Sequence, residues 1–120
     1  MKHLFTALMF VATIMLSACN ENSAKNEIYV FSQPGCGHCI NAHDYMERYY
    51  KDYNIKEINI REGSNMNNLV KYARKFKISQ NSLGTPFIVI GDKYIMGWGN
   101  EQVKEFNRLA KEFKNKTVKD

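Results

Sequence analysis

Hydrophobic positions along this chain follow first one period and then another, and the changes mark out the elements. Residues 27–33, EIYVFSQ, form a short β-rich run closed by Pro34-Gly35, which predicts a strand and a turn. From Cys39 onward, Ala42, Met46, Tyr49 and Tyr53 recur at helical spacing and predict a helix from about 37 to 51. Residues 54–60, NIKEINI, alternate apolar and polar and predict a second strand. Met66, Leu69, Val70, Ala73 and Phe76 then mark a second amphipathic helix that starts near Ser64. TPFIVI, at 85–90, is a continuous apolar run of the kind a buried strand needs. Gly91-Asp92 turns it into KYIMGW, which completes a hairpin. Asn100 is expected to cap a last helix with Val103, Phe106, Leu109, Ala110 and Phe113 on one face.

The resulting order is β-α-β-α-β-β-α. A strand, a crossover helix and a second strand imply a parallel pair, and the final hairpin adds antiparallel neighbours. Helices are expected on both faces of a four-stranded mixed sheet, giving a single α/β domain over residues 27–114 with a basic tail at 115–120. The aromatic and methionine stripes of the helices are expected in the core.

The first twenty residues stand apart. Lys2 and the terminal amine are positive, and residues 4 to 16 are apolar apart from Thr6 and Thr13. That pattern predicts a secretory signal peptide over residues 1–18. The apolar run is short for a spanning helix, which needs about 20 residues. Leu16-Ser17-Ala18-Cys19 resembles the bacterial lipoprotein cleavage box, and the resemblance implies that Cys19 is lipidated and begins the mature chain. Residues 20–26, NENSAKN, are polar, so 19–26 reads as lipidated cysteine and tether. Seven residues reach at most about 25 Å when extended. The expected location is therefore the extracytoplasmic side of a bacterial membrane.

This assignment changes what the other two cysteines can be. Export permits disulfides, and with Cys19 acylated only Cys36 and Cys39 remain. A framework disulfide gains its effect by closing a long loop, and a bridge between residues three apart does little of that. The pair is there for chemistry. About 100 residues remain after the signal, enough for one small domain with a core. The formal charge of +5 is spread along the chain, with a looser cluster at Lys111, Lys114, Lys116 and Lys119 that reads as a solvated helix end. No repeat and no nucleic-acid motif accompany that charge, so no nucleic-acid partner is expected.

Cys36 falls at the start of the first helix, directly after a strand and a turn. A spacing of three brings the two sulfurs to one side of the helix, close enough to bridge. The helix N-terminus favours negative charge and so favours a Cys36 thiolate. His38 adds positive charge when protonated, and Gly37 leaves the first turn open to another protein's sulfur. Cys39 begins the apolar stripe and should be the more buried. Cys36 is thus expected to attack a disulfide and Cys39 to resolve the mixed disulfide. The alternatives are a passive disulfide and a metal site. Zinc wants four ligands, and His38 and His43 are the other candidates in the mature chain, with His38 poorly aimed. A copper or zinc carrier using Cys36, Cys39 and His43, or an interaction protein without turnover, therefore stand behind the redox reading. His43, one turn after Cys39, reads as a helix surface residue, with proton transfer as its second reading.

Cys36-Gly37-His38-Cys39 in a strand-turn-helix setting resembles the thioredoxin-fold superfamily, at a minimal, glutaredoxin-like size. CGHC itself is similar to the motif of protein disulfide isomerase. The spacing of Cys36, Cys39, His43, Met46 and Tyr49 is closer to the catalytic domain of bacterial DsbC/DsbG-type proteins. Gly84-Thr85-Pro86 ahead of an apolar strand resembles that family's Thr–cis-Pro loop, which implies a cis Thr85-Pro86 bond and contacts from Thr85 and Pro86 to the substrate backbone. The implied activity is thiol:disulfide exchange with exported proteins, with no cofactor beyond the Cys36–Cys39 disulfide and a membrane redox partner that recycles it. Three features depart from the pattern. Val30 stands where thioredoxins and protein disulfide isomerase have a buried acid, so proton removal from Cys39 falls to water, His43 or the substrate. A seven-residue tether has no room for the N-terminal dimerisation domain of DsbC-type isomerases, so a monomer is expected. Gly97-Trp98-Gly99-Asn100 carries no clear glutathione-binding signature.

Overall fold

The computed structural model describes residues 27–119; the expected signal segment, Cys19 and the expected tether lie outside the described residues. Chain order is β1 (Ile28–Ser32), α1 (Gly37–Tyr49), β2 (Ile55–Asn59), α2 (Asn65–Lys75), a 3-10 turn (Gln80–Ser82), β3 (Phe87–Ile90), β4 (Lys93–Met96) and α3 (Asn100–Lys119). The sheet runs β2-β1-β3-β4. β1 and β2 are parallel, with Val30 opposite Glu57, while β3 is antiparallel to both β1 and β4. This is the expected four-stranded mixed sheet flanked by helices.

Period-two alternation sorts the strand residues between two cores. Ile28 and Val30 of β1, with Ile88 and Ile90 of β3, meet Ala42 and Met46 of α1 and Phe106, Leu109 and Ala110 of α3. Phe31, Phe87 and Val89 face the other way and pack with Leu69 of α2. All four residues of β3 are buried, because this central strand is covered on both faces. Ile90 pairs with Lys93 across a two-residue turn in which Gly91 has φ +60, the requirement of the first position of a type II′ hairpin. Phe106 anchors α3: it is fully buried, and the rings of Tyr50 and Trp98 approach it edge-on at 4.9 and 5.9 Å.

Three local expectations need correction. Tyr49 is 61% exposed, not in the core. Helix α1 ends there, and Tyr50 leaves helical geometry (φ −131, ψ 36), so it is Tyr50 that packs against the core. Met66 is 46% exposed because it sits in the first turn of α2, ahead of the part that packs on Phe31, Phe87 and Val89. The cap of α3 is Gly99 and not Asn100: the Gly99 carbonyl accepts the Val103 N–H at 2.9 Å, and Asn100 is the first helical residue. A side chain at the cap would crowd Gln102, whose Oε1 lies 3.2 Å from where a Cβ on Gly99 would stand. Helix α3 also continues through the basic residues to Lys119. Among the described residues, no helix is long and apolar enough to cross a membrane.

Candidate active site

The site begins where β1 stops. Gln33-Pro34-Gly35-Cys36 forms a turn closed by the Cys36 N–H donating to the Gln33 carbonyl at 3.4 Å. Proline second and a glycine at φ +77 third fit a type II turn. A Cβ on Gly35 would meet nothing within 4 Å, so the glycine serves backbone conformation and not space. The turn delivers Cys36 to the N-cap of α1 in extended conformation (φ −89, ψ 105). There its sulfur accepts the Cys39 N–H at 3.2 Å, the role that a Ser or Asp oxygen fills at most helix starts. The first turn of α1 holds no acidic residue. The positive end of the helix therefore acts on this sulfur without competition from a carboxylate in that turn.

A disulfide joins Cys36 and Cys39, with Cα atoms 5.2 Å apart, inside the usual range for a bridge. Cys39 is 6% exposed because it continues the buried stripe of Ala42 and Met46, whereas Cys36 is half-buried. Gly37 and His38 are exposed. A Cβ at Gly37 would meet nothing within 4 Å, so its open side faces whatever approaches from outside. Among the described residues His38 makes no hydrogen bond or ion pair. Any influence it has on the sulfurs acts through space.

The loop before β3 completes the site. The Thr85-Pro86 bond is cis, and Pro86 is buried, its carbonyl accepting the Gly97 N–H at 2.8 Å. The Thr85 hydroxyl donates to the Cys36 sulfur at 3.5 Å, and the Thr85 carbonyl oxygen lies 3.6 Å from the same sulfur. Gln33 Nε2 donates to the Thr85 hydroxyl at 3.0 Å. Cys36 and Cys39 at the start of α1 and Thr85 and Pro86 of the loop before β3 thus come together from two segments of the chain.

His43 does not reach this cluster by a hydrogen bond. Its Nδ1 is hydrogen-bonded to Glu57 of β2, and its Nε2 lies 3.6 Å from Glu47. The Glu57 hydrogen bond is the largest cause that holds the His43 pKa above its usual value; the charges of Glu57, Glu47 and Asp44 add to it, and burial opposes it. Yet His43 and Glu57 share a cleft of about 190 Å³ with Cys39, Ile40, Ser32 and Gln33. Glu57 is the functional candidate that the sequence pattern alone does not reveal. Its only signal is a polar position in an alternating strand, and its partnership with Val30 is a matter of register. Among the described residues, no three His, Cys, Asp or Glu side chains converge on a point that could hold a metal ion.

The His43–Glu57 contact makes a prediction. Because the folded-state pKa is raised, the pair's contribution to stability is complete below the unfolded value of about 6.5. It is lost as pH rises through the folded value, and solvent screening keeps it small. An NMR titration should find His43 titrating above that ordinary value, and Glu57→Gln should lower it. A His43 that titrates identically in both proteins would contradict the pairing.

No protein-family model matches the chain, and neither does any curated protein sequence. Solved structures do match. The glutaredoxin grx-1 from Archaeoglobus fulgidus superposes with a TM-score of 0.53 at 24% identity, over 69% of this chain and 87% of that one. A buckwheat glutaredoxin, solved as a glutathione complex, superposes with a TM-score of 0.51 at 21% identity, over 81% and 88%. This chain has a thioredoxin/glutaredoxin-like fold. At such identities the likeness concerns the fold alone. In a thioredoxin/glutaredoxin-like fold, a closed Cys36–Cys39 pair at the first helix is consistent with thiol–disulfide chemistry.

Proposed function

We propose that the chain is a lipid-anchored thiol:disulfide oxidoreductase of the bacterial cell envelope, similar in motif to DsbC/DsbG-type catalytic domains and acting on exported proteins. The observation that carries this reading is the half-exposed Cys36 sulfur at the N-cap of α1, bonded to a buried Cys39 and touched by Thr85 of the cis-proline loop. In the reduced protein, the Cys36 thiolate attacks one sulfur of a substrate disulfide. A Cys36–substrate bond forms, the substrate S–S bond breaks, and the second substrate sulfur leaves as a thiolate. Cys39 then loses its proton and attacks the Cys36 sulfur. The mixed disulfide breaks, the Cys36–Cys39 bond forms, and the substrate departs with two electrons. Run backwards, the same steps oxidise a substrate dithiol.

A thiol as buried as Cys39 ionises reluctantly. Its proton leaves through water in the shared cleft to the Glu57 carboxylate, whose charge His43 balances. The helix end and the Thr85 hydroxyl favour the thiolate, hence the reduced form, which inclines the pair toward oxidation or isomerisation of substrates. For a two-electron couple about 30 mV is a tenfold change in equilibrium, so a single charge near Cys36 tunes the direction. Lipid on Cys19 would hold the domain within tether's reach of the membrane, where a membrane redox partner recycles the pair. The working unit is a monomer, and no nucleic acid is involved.

Dithiothreitol-driven reduction of insulin tests the activity. The reduced protein should accelerate it, and Cys36→Ala should return the rate to that of dithiothreitol alone. Equal rates with and without the wild-type protein would refute the enzyme reading.

A further inference from the structure

We propose that Gln33 is a positioning residue for the nucleophile: its side-chain amide orients the Thr85 hydroxyl so that the single hydroxyl proton is delivered to the Cys36 sulfur. The inference rests on the reading of Cys36 as the attacking thiolate and adds a residue that sets its ionisation. A threonine hydroxyl has one proton and two lone pairs. With Gln33 Nε2 donating into a lone pair at 3.0 Å, the proton is left for the sulfur at 3.5 Å.

Thr85 acts on Cys36 in two opposite senses. Its carbonyl oxygen, 3.6 Å from the sulfur, can accept an S–H and so favours the neutral thiol. Its hydroxyl can donate to the sulfur, and once the disulfide is reduced to a thiolate that contact becomes charge-assisted and stronger. A freely rotating hydroxyl would divide its time between orientations. Gln33 fixes the choice in favour of the thiolate, and the chain Gln33 to Thr85 to Cys36 is polarised in one direction. Gln33 is itself well held. Its carbonyl accepts the Cys36 N–H in the turn, so the same residue sets the height of Cys36 on the helix and the direction of the Thr85 proton. The two side chains that meet here stand 52 residues apart in sequence.

The test follows iodoacetamide labelling of the Cys36 peptide in the reduced, purified full chain as a function of pH. Gln33→Met keeps the length and removes the amide; Gln33→Leu is a second variant should the first fail to fold. Loss of one orienting hydrogen bond should raise the apparent Cys36 pKa by roughly 0.5 to 1 unit. In a Thr85→Val background the same change at Gln33 should move it no further. An unshifted pKa in a folded Gln33 variant would overturn the proposal, and so would an equal shift with and without the Thr85 hydroxyl. Failure here, with insulin reduction intact, would remove only the role of Gln33. Inactive wild-type protein with the Gln33 shift present would instead remove the enzyme reading and leave the relay standing.

Discussion

Replacing Cys39 by alanine is expected to turn the protein into a trap for its own substrates. The first step needs only the Cys36 thiolate, and the second needs Cys39. With Cys39 gone, mixed disulfides on Cys36 should accumulate and survive acid quenching on non-reducing gels. Gln33, Thr85 and the Cys39 amide all direct donors at this region, and those contacts come from the backbone, the loop and the turn. None of them needs the Cys39 thiol, so the attacking end of the site should persist in the variant. Cys36→Ala should trap almost nothing, because a Cys39 that is 6% exposed cannot meet a partner's sulfur. If the proposed lipid anchor on Cys19 holds the domain at the membrane, trapped partners should be enriched in membrane-attached proteins. If Cys39→Ala traps no envelope protein, while the purified wild type binds copper or zinc tightly through both thiols, a metal carrier replaces the oxidoreductase.

The second large effect concerns where the protein sits. The apolar run ending in Leu16-Ser17-Ala18-Cys19 motivates it, although these residues lie outside the described part of the structure. Mass spectrometry of the membrane fraction should find a diacyl or triacyl group on a chain beginning at Cys19. One acyl chain gives only marginal membrane binding, whereas two or more hold a protein stably. Cys19→Ser should therefore move nearly all of the protein out of the membrane fraction. A wild-type protein that is soluble and begins at another residue would end the lipid-anchor proposal.

The fold was largely legible in the chain, and the reason is visible in particular segments. TPFIVI reads as a buried strand because β3 is covered on both faces, which demands apolar residues at every position. NIKEINI mixes apolar and polar residues because β2 is an edge strand: Ile55 packs on one core, Ile58 and Ile60 on the other, and Lys56 and Glu57 are exposed. Local periodicity becomes unreliable where an element ends. Tyr49, expected in the core, is exposed and Tyr50 packs there because the helix stops between them, and Gly99 displaces Asn100 as the cap of α3. At the site, the asymmetry of the two sulfurs was readable because Cys39 shares the spacing of Ala42 and Met46. The parts that depend on distant segments were not. Glu57 reaches His43 through the parallel pairing of β1 with β2, and Gln33 reaches Thr85 through the antiparallel pairing of β1 with β3. Strand register of this kind is a long-range outcome that no short window of sequence contains.

The central claim is that the half-buried Cys36 is the activated nucleophile and the more deeply buried Cys39 its resolving partner. Site-resolved alkylation of the reduced protein across pH measures both halves at once. Cys36 should be modified first, with an apparent pKa clearly below the free-cysteine value of about 8.5, while Cys39 remains protected. Faster labelling of Cys39, or a Cys36 that titrates at or above the free-cysteine value, would contradict the account.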